Sequence, residues 1–200
     1  EMCIRDRGLI QTSLGGSPME RWNPEDGDLY LNMVDKIHET GGRYAGVLWY
    51  QGCSDTNPGP AEKYLEHFRE YVEATRKELG YEVPFFTMQL NRQINGINDE
   101  CWGMVRDAQA RAAKEIPGVS VLTTSNLSLC DGIHNTAQAN VALGEKLAKQ
   151  CAHVLNGKEE YQPPELVKVE RADEAERKSF QLEGSGIWLK LTCDHVKNCF

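Results

Sequence analysis

Three short stretches of this 200-residue chain set polar, chemically useful side chains beside glycine or at the end of an apolar run. The first is Asp131-Gly132-Ile133-His134. An Asp and a His three apart on a loop can hydrogen-bond each other. The carboxylate then fixes the imidazole tautomer and stabilises its protonated form, leaving the other ring nitrogen free as a general base. Most Asp-x-x-His pairs are surface residues; this one stands out because it falls between an apolar run at 119–123 and a helical pattern that begins near Thr136. The second stretch, residues 46–55, reads Gly-Val-Leu-Trp-Tyr-Gln-Gly-Cys-Ser-Asp. Val47 to Tyr50 lack polar alternation, as in a strand covered on both faces, and Gly52 allows the backbone to turn where open α/β sheets place their ligands. The third is Gly15-Gly16, a tight turn after the apolar pair Leu9-Ile10. The candidate nucleophiles are Ser13, Ser17, Ser54 and Cys53, and none of these serines stands in Gly-x-Ser-x-Gly.

The elements that must position these residues alternate between strand and helix. Residues 8–13 read as a strand entering the glycine turn, and 28–40 as a helix stopped by Gly41-Gly42. The strand at 47–50 follows, then an amphipathic helix over 61–79 closed by Gly80, with Tyr64, Leu65, Phe68, Val72 and Leu79 inward. Residues 83–90 read as a second buried strand and 98–116 as a helix, with Trp102, Val105, Ala108, Ala112 and Ile116 at core spacing. The strand at 119–123 leads to the Asp131 loop. The closing helix, 136–155, turns Val141, Leu143, Leu147 and Val154 inward. Such alternation predicts a parallel sheet with helices on both faces, in which Ile10, Leu48, Phe86 and Leu122 lie on neighbouring strands. His38 and His67 read as solvated helix residues. Past residue 161 the character changes: Gln162-Pro163-Pro164 signals a linker, and 166–171, 179–182 and 187–192 read as strands of an all-β domain whose start occupies 161–200.

A net charge of −8 and a pI near 5.2 supply no electrostatic footprint for a phosphate backbone, so nucleic acid is not an expected partner. No apolar run approaches the roughly 18 residues that a membrane span needs. The seven cysteines are odd in number and lack paired Cys-x-x-Cys spacing, so they read as free thiols rather than a zinc site or a disulfide framework. No metal or cofactor is expected.

Trp49-Tyr50-Gln51-Gly52, preceded by residues 14–22 (Leu-Gly-Gly-Ser-Pro-Met-Glu-Arg-Trp) and followed by Asp131-Gly132-Ile133-His134, resembles the sialate O-acetylesterase family. That family is the carbohydrate-esterase branch of the SGNH (GDSL-like) hydrolases. The resemblance runs over 8–157 and implies a three-layer α/β/α sandwich of flavodoxin-like topology. It further implies hydrolysis of acetyl esters on sugars by a Ser-His-Asp mechanism, an acetylated carbohydrate as substrate, and a secreted or periplasmic location. His134 and Asp131 would be catalytic. Gln51 and the Gly15-Gly16 turn would donate N–H groups to the oxyanion. Arg106 and Gln109, in Trp-x-x-x-Arg-x-x-Gln, echo the family, although their positions read as helix surface.

Two departures from the family pattern matter. The family's nucleophile sits in Gly-Asp-Ser or Gly-Gln-Ser on a first strand, whereas residues 1–7 read as a non-native segment. The chain is therefore expected to be a fragment lacking that strand and its serine, and to be inactive by itself. The family also usually carries a glutamate after Gln-Gly, where this sequence has Cys53. A thiol replaces neither the charge nor the acceptor capacity of a carboxylate. Cys53 opens an alternative in which it is itself the nucleophile with His134. A second alternative is a non-catalytic carbohydrate-binding or scaffold protein on the same fold.

Overall fold

The computed structural model describes residues 8–157, 165–179 and 187–194. Its centre is a three-stranded parallel sheet in the order β1 (Val47–Trp49), β2 (Phe85–Met88), β3 (Val119–Leu122). Register pairs Leu48 with Phe86 and Thr87 with Val121. Between the strands run α2 (Pro60–Leu79) and α3 (Asp99–Glu115); α1 (Asp28–Thr40) precedes β1 and α4 (Ala137–Asn156) follows β3. The α/β class expected from the alternation is the class observed, and the helix bounds differ from expectation by a residue or so.

The faces of the sheet are covered unequally. Side chains alternate along a strand, so Val47, Trp49, Phe85 and Val119 point to one side, into a large core built with α1, α2 and α3. Trp49 sits at its centre, its ring centroid 4.5 Å from that of Tyr71 and 5.1 Å from that of Trp22. Met88 and Leu122 point the other way and pack with Leu127 against Ala139 and Leu143 of α4 in a smaller core. Leu48 lies on this second face and is 48% exposed, because α4 covers β2 and β3 but does not reach over β1. The expectation that β1 is covered on both faces thus holds for Trp49 and fails for Leu48.

Other expectations need correction. Residues 8–13 form no strand: Leu9 is 88% and Ile10 38% exposed, so Ile10 is not a sheet residue. Two apolar side chains followed by Gln11, Thr12 and Ser13 provide too little apolar face to hold an edge in place. On α4 the inward stripe is Ala139, Leu143, Leu147 and Gln150. Val141 lies two residues from Ala139, about 200° round the helix, and faces out, as does Val154. Beyond residue 164, β4 (Glu165–Arg171) and β5 (Leu189–Asp194) pair antiparallel, and a short helix, α5 (Glu174–Ser179), lies between them in sequence. Ser179 is helical rather than the start of a strand, and 180–182 lie outside the described residues, as do 1–7 and the linker at 162–164. Glu174 and Glu176 at the start of α5 and Arg177 and Lys178 at its end suit the helix dipole.

Candidate active site

The loop after β3 is folded by its own acid. Asp131 Oδ1 accepts the backbone N–H groups of Ile133 (2.8 Å) and His134 (2.7 Å), while Oδ2 lies 2.7 Å from His134 Nδ1. These backbone donors and the imidazole hold the Asp131 carboxyl down to about 2. Nδ1 therefore faces a carboxylate that is ionised at neutral pH, and Nε2 of His134 has no hydrogen-bond partner among the described residues. Both side chains are more than half exposed. Gly132 lets the loop lie close under its neighbour: a Cβ there would stand 2.9 Å from Asn95 Nδ2, and the Ile94 N–H donates to the Gly132 carbonyl at 3.0 Å.

The loop after β1 is built differently. Gly52 has φ +141°, and a Cβ on it would meet Gln109 Nε2 and Val105 Cγ1 at 3.0 Å, so only glycine fits. Gln109 is 1% exposed. Its Nε2 donates to the Gln51 carbonyl (2.9 Å) and its Oε1 accepts the Leu90 N–H (2.8 Å), joining the ends of β1 and β2. The helix-surface reading of Gln109 is therefore wrong. The signal for its true place was its position on the apolar stripe of α3, between Val105 and Ala112. Arg106 is half-buried and donates to the Ser125 hydroxyl at 2.5 Å, tying α3 to the loop after β3.

The side chain of Gln51 points into this buried seam. Its Nε2 donates to the Ser17 carbonyl (2.8 Å) and to Asp55 Oδ2 (2.5 Å), and its Oε1 is buried without a partner among the described residues. Asp55, 3% exposed, also accepts the Met19 N–H through both oxygens, at 3.0 and 3.2 Å. The segment after the Gly15-Gly16 turn is thereby fastened to the Gln51 loop. The turn itself is exposed, with Gly16 at φ +72°, and neither N–H is hydrogen-bonded among the described residues. Burial pushes the Asp55 carboxyl up, against the pull of Gln51 and the Met19 N–H.

Contacts among the strand ends draw the loops together. Asn135, next to His134, donates to the Tyr50 hydroxyl at 3.2 Å, and Asn91 after β2 donates to Asn135 at 2.7 Å. Asp131, His134 and Gln51 thus belong to loops at the C-terminal ends of the parallel strands, with the segment after the glycine turn fastened beside Gln51. The candidate nucleophiles do not complete a triad. The Ser17 hydroxyl is spent on the Leu14 carbonyl and on Trp22 Nε1. Burial raises the Cys53 thiol, and the nearby carboxylates of Asp131 and Asp55 raise it further, the reverse of what a thiolate nucleophile needs. His38 is bonded to Glu78 at 2.7 Å, an exposed contact between α1 and α2. Among the described residues no group of three or more His, Cys, Asp or Glu could hold a metal ion.

Residues 2–153 match the family described as "Carbohydrate esterase, sialic acid-specific acetylesterase", a span that begins ahead of the Gly8 at which the motif resemblance starts. The chain is 30% identical over 148 residues to the probable carbohydrate esterase At4g34215 of Arabidopsis thaliana, covering 71% of this chain and 54% of that one, so it spans about half the length of this relative. The X-ray structure of the same Arabidopsis protein superposes with a TM-score of 0.62 at 28% identity, over 70% of this chain and 58% of that one. XAC1771 of Xanthomonas citri, described as a novel carbohydrate acetylesterase, superposes with a TM-score of 0.66 at 26% identity, over 78% and 39%. On the family match and the Arabidopsis relative together, the chain belongs to the carbohydrate-esterase family described as sialic acid-specific acetylesterase.

Proposed function

We propose that this chain carries the general base and the oxyanion-side groups of a carbohydrate O-acetylesterase of the sialate O-acetylesterase type. The observation that carries the reading is the His134–Asp131 pair in the loop after β3 of a carbohydrate-esterase fold, with Nε2 unengaged. His134 would take the proton of a serine hydroxyl as it attacks the acetyl carbonyl, then return it to the departing sugar oxygen. Asp131 would keep Nδ1 protonated and stabilise the imidazolium. The serine belongs, on this reading, to a Gly-Asp-Ser or Gly-Gln-Ser segment outside the described residues. The SGNH class assignment rests on the same reading.

The negative charge of the tetrahedral intermediate would be met by the open N–H groups of the Gly15-Gly16 turn and by Gln51. A preorganised donor of this sort is worth on the order of 3 kcal/mol of barrier. Both Nε2 hydrogens of Gln51 are engaged in this structure, so Gln51 serves as a donor by exchanging the Ser17 carbonyl for the oxyanion while keeping Asp55. The test is acetate release from O-acetylated sialic acid and from acetylated xylan by a longer chain that includes the serine segment. The 200-residue chain is expected to be inert, the longer one active, and His134→Ala in the longer one nearly inert. Hydrolysis by the 200-residue chain that vanishes in Cys53→Ala would replace this reading with a thiol mechanism. Sugar binding without hydrolysis by the longer chain would replace it with a binding role.

A further inference from the structure

Asp55 is a buried carboxylate placed at the junction of the two oxyanion-side elements, and among the described residues it makes no ion pair. Desolvating an acid is costly unless hydrogen bonds to the charged form repay it. Among the described residues the repayment comes from two donors: the Met19 N–H, three residues beyond Gly16, and Gln51 Nε2, four residues back along its own loop. An apolar or amide side chain would fill the space with less penalty. What the carboxylate adds is direction. An acceptor without hydrogens can face only the N–H₂ end of Gln51, never its Oε1, so Asp55, together with the Ser17 carbonyl, decides which way that amide is turned. By accepting from Met19 as well, it sets the distance between the glycine turn and Gln51.

We propose that Asp55 is a positioning residue of the esterase site: it fixes the rotamer and amide orientation of Gln51 and locks the Gly15-Gly16 turn beside it. This rests on the oxyanion role given to Gln51 and the turn above. Asp55 touches neither substrate nor nucleophile and acts through its two partners. The titratable groups around it are Glu20 in the turn after Pro18, His67 and Tyr64 of α2, and Cys53 in its own loop. None is hydrogen-bonded to it, so its protonation is read most directly by Gln51 and Met19. Protonated Asp55 carries one hydrogen that competes for the same seam, which frees the Gln51 amide to turn.

The experiment separates this coupling from the esterase reading. In the 200-residue chain, the side-chain amide pair of Gln51, assigned by its loss in Gln51→Glu, is followed by NMR while pH is lowered and the Asp55 carboxyl carbon is titrated in parallel. The Gln51 pair should move with the Asp55 titration while the Gln109 pair, bonded to the Gln51 main-chain carbonyl and to Tyr64 but not to Asp55, stays put. In Asp55→Asn the Gln51 pair should already be displaced at neutral pH and should no longer titrate. A Gln51 pair indifferent to both changes overturns the proposal, and the unmodified chain alone decides this if Asp55→Asn does not fold. In the longer, serine-bearing chain, Asp55→Asn should lower kcat by up to about 100-fold with KM little changed, the signature of misplaced transition-state donors. An unchanged kcat there, with the Gln51 pair displaced, also overturns it. If the longer chain hydrolyses no acetyl ester even unmodified, the esterase reading falls, and the NMR titration still decides whether Asp55 orients Gln51.

Discussion

The loop after β3 and the loop after β1 present their candidate site residues by opposite means. Asp131 and His134 are exposed, and every hydrogen bond of their side chains among the described residues lies within three residues along the chain. Gln51 and Asp55 sit in a seam whose partners are 34, 36 and 58 residues away: Ser17, Met19 and Gln109. A local, solvated pair can be altered with little consequence for the fold, whereas a buried, non-local one cannot be altered without disturbing it. The sharpest expression of this contrast is His134→Ala in a serine-bearing chain. Acetyl-ester turnover should fall by about 10³-fold or more, equivalent to about 4 kcal/mol of barrier, with the melting midpoint unmoved. A large drop in melting temperature would show that the β3 loop is as structural as the β1 loop and would dissolve the contrast.

The opposite result is expected at Gly52. Gly52→Ala forces a side chain into φ +141° against Gln109 and Val105, which should cost about 3 kcal/mol of stability by urea denaturation. Next in size is Gln109→Leu. It keeps the volume but leaves the Leu90 N–H unpaired and the Gln51 carbonyl with only the Tyr64 hydroxyl, for about 2 kcal/mol. Because residue 52 packs on Gln109, the double variant should cost less than the sum of the two. Strict additivity would mean that the seam is not one unit.

The same contrast explains what could be read from the sequence. Asp-x-x-His is local, so its hydrogen bond follows from spacing alone, and the strands and helices follow from apolar runs and periodicity. Trp102, Val105, Ala108, Ala112 and Ile116 are all buried as their spacing requires. Asp55 could not be found that way. Its partners depend on how the glycine turn folds back over β1, and no periodicity links residue 19 to residue 55. Gln109 is not legible in this way because a polar side chain on the buried stripe takes its place from the Leu90 N–H and the Gln51 carbonyl, which only the folded chain brings together. Ile10 and Leu48 were misread because an apolar run announces a strand without announcing what covers it.

Acid separates the two loops more gently than substitution does. Burial raises the Asp55 carboxyl above its ordinary 3.8, so folding penalises its charged form. The penalty is absent below about 3.8 and grows as pH rises through the folded value. Relative to Asp55→Asn, the unmodified protein should therefore gain stability on acidification through that range, a modest rise in melting midpoint readable by circular dichroism. A difference between the two proteins that is flat with pH would mean that the donors from Met19 and Gln51 fully cancel the burial.

Asp131 should respond in the reverse sense and least of all. Its carboxyl is depressed from 3.8 to about 2 by the Ile133 and His134 backbone donors and by the imidazole. A depressed acid contributes most above its unfolded value, so its share is complete above about 3.8 and is lost as pH falls through about 2. The bonds at stake are exposed and local, so their loss should loosen residues 131–134 without moving the global midpoint. Carbon-detected titration of Asp131 should give a midpoint near 2, and the Ile133 and His134 amide protons should shift along the same curve. An Asp131 midpoint close to 3.8 would mean that the carboxylate does not cap the loop. His134 would then lack a fixed anion behind Nδ1, and its claim to act as the base would rest on proximity alone.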